Sequence, residues 1–208
     1  MKFFTQMKIL SKKKVYRFLL VIISTFLLIL SSQIIQTQSN QVLALPPSTS
    51  EIATGWQNAS FPVENFQSYT SGYGYRPSAT GGSSTEFHRG LDIAAPLGSY
   101  IRNWWGGEVA DLSDNTACGT MITIQSGAWT HLYCHLMGHV ESSGNQLYLV
   151  DQEGGLTLMK GQQVAGGARI GRVGMTGRTT GPHLHWGLKY NGEYLDPAIV
   201  LRAMYYNS

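Results

Sequence analysis

The chain has 208 residues, with 15 Lys+Arg, 12 Asp+Glu and a formal net charge of +3. Six of the basic residues and none of the acidic ones precede position 45, so the rest of the chain is acidic overall. This distribution excludes a nucleic-acid-binding body, which would need a basic surface. Two cysteines are too few for a cysteine-built zinc finger or a disulfide-dense scaffold, whereas 24 glycines are typical of a turn-rich folded domain.

The first 44 residues have the pattern of a secretory signal. Lys12–Arg17 is positively charged, residues 18–30 are almost entirely apolar, and residues 42–44 end in a small residue suited to cleavage. The apolar run is short for a membrane span, although later isoleucines extend it, so an uncleaved anchor through residues 18–35 is the alternative. Either form places the remaining body outside the cytoplasm.

The body consists of short apolar and β-branched runs separated by glycine-rich turns, without a sustained helical period before the C-terminus. The predicted strands are residues 100–105, 108–112, 120–125, 129–135, 147–150, 156–159, 169–173 and 183–190, and residues 197–205 are predicted to form a short helix. This pattern predicts an all-β fold: a single domain rich in antiparallel sheet.

The two cysteines flank a predicted hairpin with Ser126-Gly127 at its turn. If Ile124 paired with Ala128, Cys118 would lie directly opposite Cys134, at a separation that a disulfide tolerates. An oxidising compartment then favours a disulfide. The alternative is a pair of buried thiols, because a slip of one residue would put the sulfur atoms on opposite faces.

Two pairs of residues have the spacing of metal ligands on strands. His183 and His185 would project from one face, since side chains of a strand alternate between faces. His88 and Asp92 would also share a face, because Gly90 and the segment after it argue against a helix. Imidazoles and a carboxylate suit Zn²⁺, and three protein ligands would leave a fourth position open, as in catalytic zinc sites.

Three ordered motifs carry a family resemblance: His88-x-x-x-Asp92, Tyr133-Cys134-His135-Leu136 and Gly181-Pro182-His183-Leu184-His185. Together with the glycines between them, they resemble the lysostaphin-type peptidoglycan endopeptidases, also called β-lytic metalloendopeptidases, over about residues 56–201. The resemblance implies that His88, Asp92 and His185 bind Zn²⁺ at the base of a cleft. It also implies that His135 and His183 are catalytic, one as a base and the other as a donor to the oxyanion.

The resemblance implies an extracytoplasmic enzyme, periplasmic, wall-associated or secreted, that hydrolyses stem peptides or cross-links of peptidoglycan. We expect a signal peptide or anchor at residues 1–44, a linker at 45–55, the zinc metalloendopeptidase domain at 56–201 and a tail at 202–208. The expected partner is the peptidoglycan peptide, with no nucleic acid and with membrane contact only through an uncleaved signal. The alternatives are a non-enzymatic regulator of cell-wall amidases, which would lack ligands, and a secreted protease acting on glycine-rich protein.

Some features lie outside the matched motifs. His131 and His139 are expected to be packed or solvated, although His131 would share a strand face with His135 if β-pairing were regular. The pair Trp104-Trp105 is expected to pack in the core or in the groove, with stacking on a sugar or peptide as the alternative. The longer segment from Val140 to Thr157 predicts an additional hairpin beside the cleft, and Ser78–Thr85 predicts a flexible loop.

Overall fold

The computed structural model describes residues 59–78, 81 and 83–206. The predicted signal, the predicted linker and part of the predicted loop before His88 lie outside the described residues. The strands are β1 Ser68–Ser71, β2 Gly74–Pro77, β3 Thr85–His88, β4 Leu91–Ala94, β5 Tyr100–Arg102, β6 Gly107–Ser113, β7 Met121–Ser126, β8 Trp129–Cys134, β9 His139–Ser143, β10 Gln146–Asp151, β11 Leu156–Met159, β12 Gln163–Val164, β13 Arg169–Arg172, β14 His183–Tyr190 and β15 Glu193–Leu195; helix α1 is Pro197–Tyr206. No helix in this part of the chain is long and apolar enough to cross a bilayer.

An eight-stranded sheet forms the centre of the fold. Its strands follow the order β1-β4-β14-β8-β7-β6-β12, and β15 pairs with the end of β14. Each of these pairings is antiparallel. The predicted all-β antiparallel fold is therefore confirmed. The short apolar runs pair side by side, and the sheet that they form buries one of its faces.

The eight predicted strands are all present. The strands at residues 156–159 and 183–190 have the predicted ends, and the ends of the other six shift by one to three residues. The single extended strand expected to carry His88 and Asp92 is instead two strands, because β3 ends at His88 and Asp92 lies in β4. Among the described residues, β1, β2, β9, β12 and β15 were not predicted. These segments are short or polar and lack the alternation of apolar and polar residues over several positions that identifies a half-buried strand. The predicted C-terminal helix is confirmed, and it continues past the predicted domain end at residue 201 to Tyr206.

The core lies behind the central strand β14. Leu184, Trp186 and Leu188 alternate with polar residues along this strand, and each is 0% exposed. Trp104 is equally buried, with its ring centroid 5.9 Å from that of Trp186. The predicted core packing of Trp104 is confirmed, and the apolar side of β14 anchors the strand whose other side carries the histidine pair.

The hairpin β7–β8 forms with a different register from the predicted one. Ser126 pairs with Trp129 around a two-residue turn, so Ile124 lies opposite His131 rather than Ala128. Gly127 has a φ of 60°, a conformation that favours glycine at the first central position of such a turn. The predicted register is therefore wrong.

The disulfide nevertheless forms, by another geometry. Cys118 lies in the turn before β7 and not in the strand, and it is bonded to Cys134 with a Cα–Cα distance of 5.0 Å. The backbone N–H of His135 donates to the carbonyl oxygen of Cys118 at 2.8 Å. The alternative of two free thiols is wrong, and the bridge ties the turn before β7 to the chain that leads into His135.

The predicted additional hairpin is confirmed as part of a three-stranded sheet, β9–β10–β11. Tyr148 pairs with Met159 across the predicted turn, and β9 adds a strand on the other edge of β10. A bidentate ion pair joins this sheet to β13, with Arg172 Nε and Nη2 each 2.6 Å from a carboxylate oxygen of Asp151. The insertion is thus fixed to the body by a buried carboxylate.

Candidate active site

The topology brings the distant sequence motifs to one place on the sheet. Strand β14 lies between β4 and β8, so His185 is directly opposite Asp92 on one side and Cys134 on the other. His183 projects from the same face of β14 as His185 because the two residues are separated by one position. His135 follows directly after β8, beside this face.

Three side chains converge tightly. Asp92 Oδ1 lies 2.8 Å from His185 Nδ1 and 3.0 Å from His88 Nε2, and the two imidazole nitrogens are 2.9 Å apart. His88 and Asp92 are buried, with exposures of 5% and 6%. The predicted metal ligands thus present one nitrogen or oxygen atom each to a common point.

The tautomer of His88 tests whether this donor set fits a cation. His88 Nδ1 is 2.7 Å from the carbonyl oxygen of Gly72, which only accepts, so Nδ1 carries the proton. Neutral His88 then turns the lone pair of Nε2 towards Asp92 Oδ1 and His185 Nδ1. Such a cluster of acceptors needs positive charge at its centre, and two imidazoles with one carboxylate are a typical zinc set.

The ionisation states agree with metal binding. Burial alone would raise the pKa of Asp92, but the neighbouring His185 and His88 imidazoles outweigh burial and hold the pKa well below its ordinary value. Burial lowers the pKa of His185, although Asp92 acts in the opposite direction. An ionised carboxylate and a neutral imidazole are the forms in which these groups bind metals.

Glycine at position 90 makes room for this cluster. A Cβ atom there would lie 2.6 Å from His185 Cε1 and 2.8 Å from the carbonyl oxygen of Trp186. The carbonyl oxygen belongs to the backbone of β14 and cannot move aside easily. In the sequence, Gly90 indicated only that the segment between His88 and Asp92 is not helical. Its close approach to His185 is visible only in the folded protein.

His135 lies next to the cluster in a backbone conformation that is rare for a residue with a Cβ atom. Its φ is 63°, and its Nδ1–H donates to the carbonyl oxygen of Thr176 at 2.9 Å. Burial, which outweighs the opposing hydrogen bond to Thr176, lowers the pKa of His135 to about 4. Its ring is therefore neutral near pH 7, with the lone pair on Nε2. Side chains held in such a backbone conformation are concentrated at functional sites.

His183 completes the group of five predicted residues. Its Nδ1–H donates to the carbonyl oxygen of Gly181 at 2.9 Å, which leaves Nε2 as the inward-facing atom, 3.6 Å from Asp92 Oδ1. The ring centroids of His183 and His135 are 4.8 Å apart. Both imidazoles thus have one nitrogen anchored on a backbone carbonyl and the other available for proton transfer.

The two remaining histidines of the body lie apart from this group. His131 is 0% exposed within the core, 4.8 Å from the ring of Trp104, and burial lowers its pKa to about 3. His139 is exposed and bonds to Glu141 at 2.7 Å. The expectation that these two residues are packed or solvated is confirmed. The shared face expected for His131 and His135 is wrong, because β8 ends at Cys134 and the positive φ of His135 breaks the alternation.

A cleft of about 340 Å³ opens over the cluster. Besides His88, His135 and His185, it is lined by Arg76, Glu86, Phe87, Arg89, Ala117, Cys118 and Arg178. Arg76 was missed by sequence reasoning, because a single arginine in a Gly-Tyr-Arg-Pro segment carries no metal-site signal. A second cavity of about 470 Å³, between β1 and α1, contains none of the predicted site residues.

Comparison with known proteins identifies the family. Residues 86–197, more than half of the chain, match the model of peptidase family M23. The chain belongs to peptidase family M23. It is therefore a member of a metallopeptidase family, and the predicted resemblance to lysostaphin-type peptidoglycan endopeptidases is confirmed.

Two of the similar proteins are bacterial enzymes that are named as endopeptidases. The chain is 34% identical over 115 residues to the DD-carboxypeptidase/endopeptidase Mpg of Neisseria meningitidis, matching 54% of this chain and 22% of the relative. It is 33% identical over 107 residues to the peptidoglycan DD-endopeptidase ShyA of Vibrio cholerae, matching 51% of this chain and 21% of the relative. The chain thus spans about a fifth of the length of these relatives.

A solved structure supports the fold. The crystal structure of a zinc-containing peptidase from Vibrio cholerae is similar, with a TM-score of 0.52 and 28% identity. The similarity covers 69% of this chain and 38% of that one. His88, Asp92 and His185 all lie within the family match at residues 86–197.

Proposed function

We propose that this protein is a zinc endopeptidase that hydrolyses peptide bonds of bacterial peptidoglycan outside the cytoplasm. The observation that carries the proposal is the convergence of His88, Asp92 and His185 on one point. His135 and His183 lie beside this point, and an open cleft is lined by His88, His135 and His185. We assign this activity to a domain spanning residues 56–201. The family match at 86–197 lies inside this range.

Three residues would hold the ion: His88 through Nε2, Asp92 through Oδ1 and His185 through Nδ1. A zinc ion held there would lower the pKa of a bound water to about 7, and the ion would also polarise the scissile carbonyl. Three protein ligands are the number found in catalytic zinc sites, whereas structural sites use four. The ligand set therefore favours catalysis over a structural role for the metal.

The two further histidines would carry the proton transfers. His135 and His183 each anchor Nδ1–H on a backbone carbonyl, so each Nε2 can accept a proton from the attacking water. Once protonated, the same Nε2–H can donate to the oxyanion or to the leaving amine. Their rings are adjacent, so the two roles can be divided between them without movement of the backbone.

The substrate assignment rests on the relatives. Two of them are named for DD-endopeptidase action on peptidoglycan or for DD-carboxypeptidase/endopeptidase action, at 33% and 34% identity to this chain. We infer that the substrate here is also a peptidoglycan peptide. The secretory pattern of residues 1–44 supports an extracytoplasmic site of action, with membrane contact only through residues 18–35 if the signal is retained.

The test is digestion of purified peptidoglycan with the purified chain, followed by mass spectrometry of the released muropeptides. We expect cleaved cross-links or stem peptides, and loss of activity with a chelator or with His185→Ala. His139→Ala is the matched control, since His139 is an exposed histidine outside the cleft. Cleavage that persists after complete metal removal would refute the proposal.

The two alternatives give different results in the same experiment. A regulator of amidases would release no muropeptides by itself but would increase their release by an added amidase. This alternative is disfavoured because all five predicted site residues are present. A secreted protease would cleave a glycine-rich protein while leaving peptidoglycan intact.

A further inference from the structure

Arg76 contacts the candidate metal ligand Asp92 from the side away from the two histidines. Arg76 Nη1 lies 2.9 Å from Asp92 Oδ2, and the same nitrogen is 2.6 Å from Ser71 Oγ. Asp92 Oδ1, by contrast, faces His88 and His185. The two oxygens of one buried carboxylate are thus divided between an arginine and the metal cluster.

The guanidinium is itself held in place across a pair of strands. Arg76 on β2 is directly opposite Glu86 on β3, and Glu86 Oε1 accepts from both Nε at 3.3 Å and Nη2 at 3.2 Å. Glu86 Oε2 also accepts from Arg178 Nη2 at 2.9 Å, at the rim of the cleft. A planar guanidinium can meet Glu86 and Asp92 at once through different nitrogens, which a lysine ammonium does less well.

We propose that Arg76 is a positioning residue of the metal site: it holds Asp92 Oδ2, so that Asp92 offers Oδ1 alone to the ion, while Glu86 holds the guanidinium in that orientation. The proposal rests on the proposed zinc site. Without Arg76, the buried Oδ2 atom would lose its charged donor and the carboxylate could rotate. Partners that orient metal-binding side chains in this way strongly affect metal affinity.

The test is the zinc dissociation constant of the full chain, measured by competition with a chromogenic chelator. We expect Arg76→Met to weaken zinc binding by about 10- to 100-fold, a range typical of outer partners of metal ligands. Arg76→Lys should weaken it less. Arg169→Met is the matched control, because Arg169 makes a bidentate pair with Glu64 at 2.9 Å away from the cleft, and zinc affinity should stay at the wild-type value.

A second readout examines the coordination itself. The visible absorption spectrum of the Co²⁺-substituted protein reports coordination number, so Arg76→Met should change the spectrum if Asp92 gains freedom to bind through both oxygens. Thermal unfolding of the zinc-free variants shows whether they are folded. If Arg76→Met does not fold, the comparison of Arg76→Lys with the wild type decides.

The outcomes separate this inference from the proposed function. Wild-type zinc affinity in the folded Arg76 variants, with an unchanged Co²⁺ spectrum, would overturn the role of Arg76 while leaving the zinc site intact. A wild-type chain that binds no zinc would overturn the proposed function and this inference together. Weaker binding in the Arg76 variants but not in Arg169→Met would support both.

Discussion

Asp92 and Asp151 are both buried aspartates that pair with an arginine, yet their surroundings differ. Arg172 occupies both oxygens of Asp151 at 2.6 Å, and the backbone N–H of Gly154 also donates to Oδ1. Arg76 occupies only one oxygen of Asp92 and leaves the other facing the histidines. A carboxylate with both oxygens satisfied by one guanidinium links structural elements, whereas one with a free inward oxygen can bind a metal.

Activity should distinguish the two aspartates most strongly. Asp92→Asn should reduce peptidoglycan cleavage by about three orders of magnitude, because a bound metal contributes several kcal/mol to transition-state stabilisation. Asp151→Asn should retain near wild-type activity in folded protein. Initial rates of muropeptide release and the zinc content of both variants provide the measurement; equal losses of activity would remove the functional distinction.

The two proposed catalytic histidines, which lie beside the ligand cluster, should give the next largest effect on activity. His135→Ala and His183→Ala should each lower the turnover number by about 10²- to 10³-fold, within the usual contribution of general acid–base catalysis. Zinc content should be unchanged, since neither residue belongs to the ligand cluster. Rates measured at saturating substrate, together with metal analysis, test this prediction, and loss of zinc from either variant would contradict the division of roles.

The stability of the fold should depend strongly on the ion pair of Asp151. Asp151→Asn should lower the free energy of unfolding by about 3 kcal/mol, because it breaks a largely buried ion pair. Arg172 then keeps only the exposed Glu153, whose Oε2 lies 3.4 Å from Nη2. Asp111→Asn is the control: its pair with Lys160 is about half exposed, so a change of at most about 1 kcal/mol is expected. Urea unfolding midpoints measure both, and a similar small change in both variants would show that the Asp151 pair does not anchor the inserted sheet.

The smallest effect concerns pH. The hydrogen bond from Arg172 lowers the pKa of Asp151 below the ordinary value of 3.8, against the opposing effect of burial. The pair's contribution is therefore fully present above pH 3.8 and is lost as the pH falls through the lower folded-state pKa. The difference in unfolding free energy between wild type and Asp151→Asn should be constant near neutrality and shrink in acid; a difference that grows in acid would contradict this sign.

Much of the candidate site could be predicted from local patterns. His183 and His185 follow the two-residue period of a strand, and a period of two places side chains on one face wherever the strand lies. The motif that contains His135 required a family resemblance, because a single histidine after an apolar strand has no periodic signal. Arg76 had neither a pattern nor a motif match, and its contact with Asp92 arises from the pairing of β2 with β3 and of β4 with β14.

The register of β-pairing was the least predictable feature. Ser126-Gly127 correctly indicated the turn between β7 and β8, but the number of turn residues decides which side chains lie opposite each other. The disulfide is present although the predicted register was wrong. Cys118 lies in the turn before β7, outside the β-ladder, so its position opposite Cys134 does not depend on the pairing of β7 with β8. Short polar strands such as β9 were missed because they gain their order from neighbouring strands and not from their own apolar pattern.

The sequence by itself determined the strand-rich architecture and the residue types of the proposed zinc site, because alternation along a strand and ligand chemistry are local properties. Only the tertiary structure decided that His131 enters the core while His135, four residues later, turns towards the cluster through a φ of 63°. It also decided which oxygen of Asp92 faces the histidines, since Arg76 contacts the other oxygen from a separate strand. Backbone conformation at a strand end and contacts between separate strands depend on the whole fold, and no local pattern encodes them.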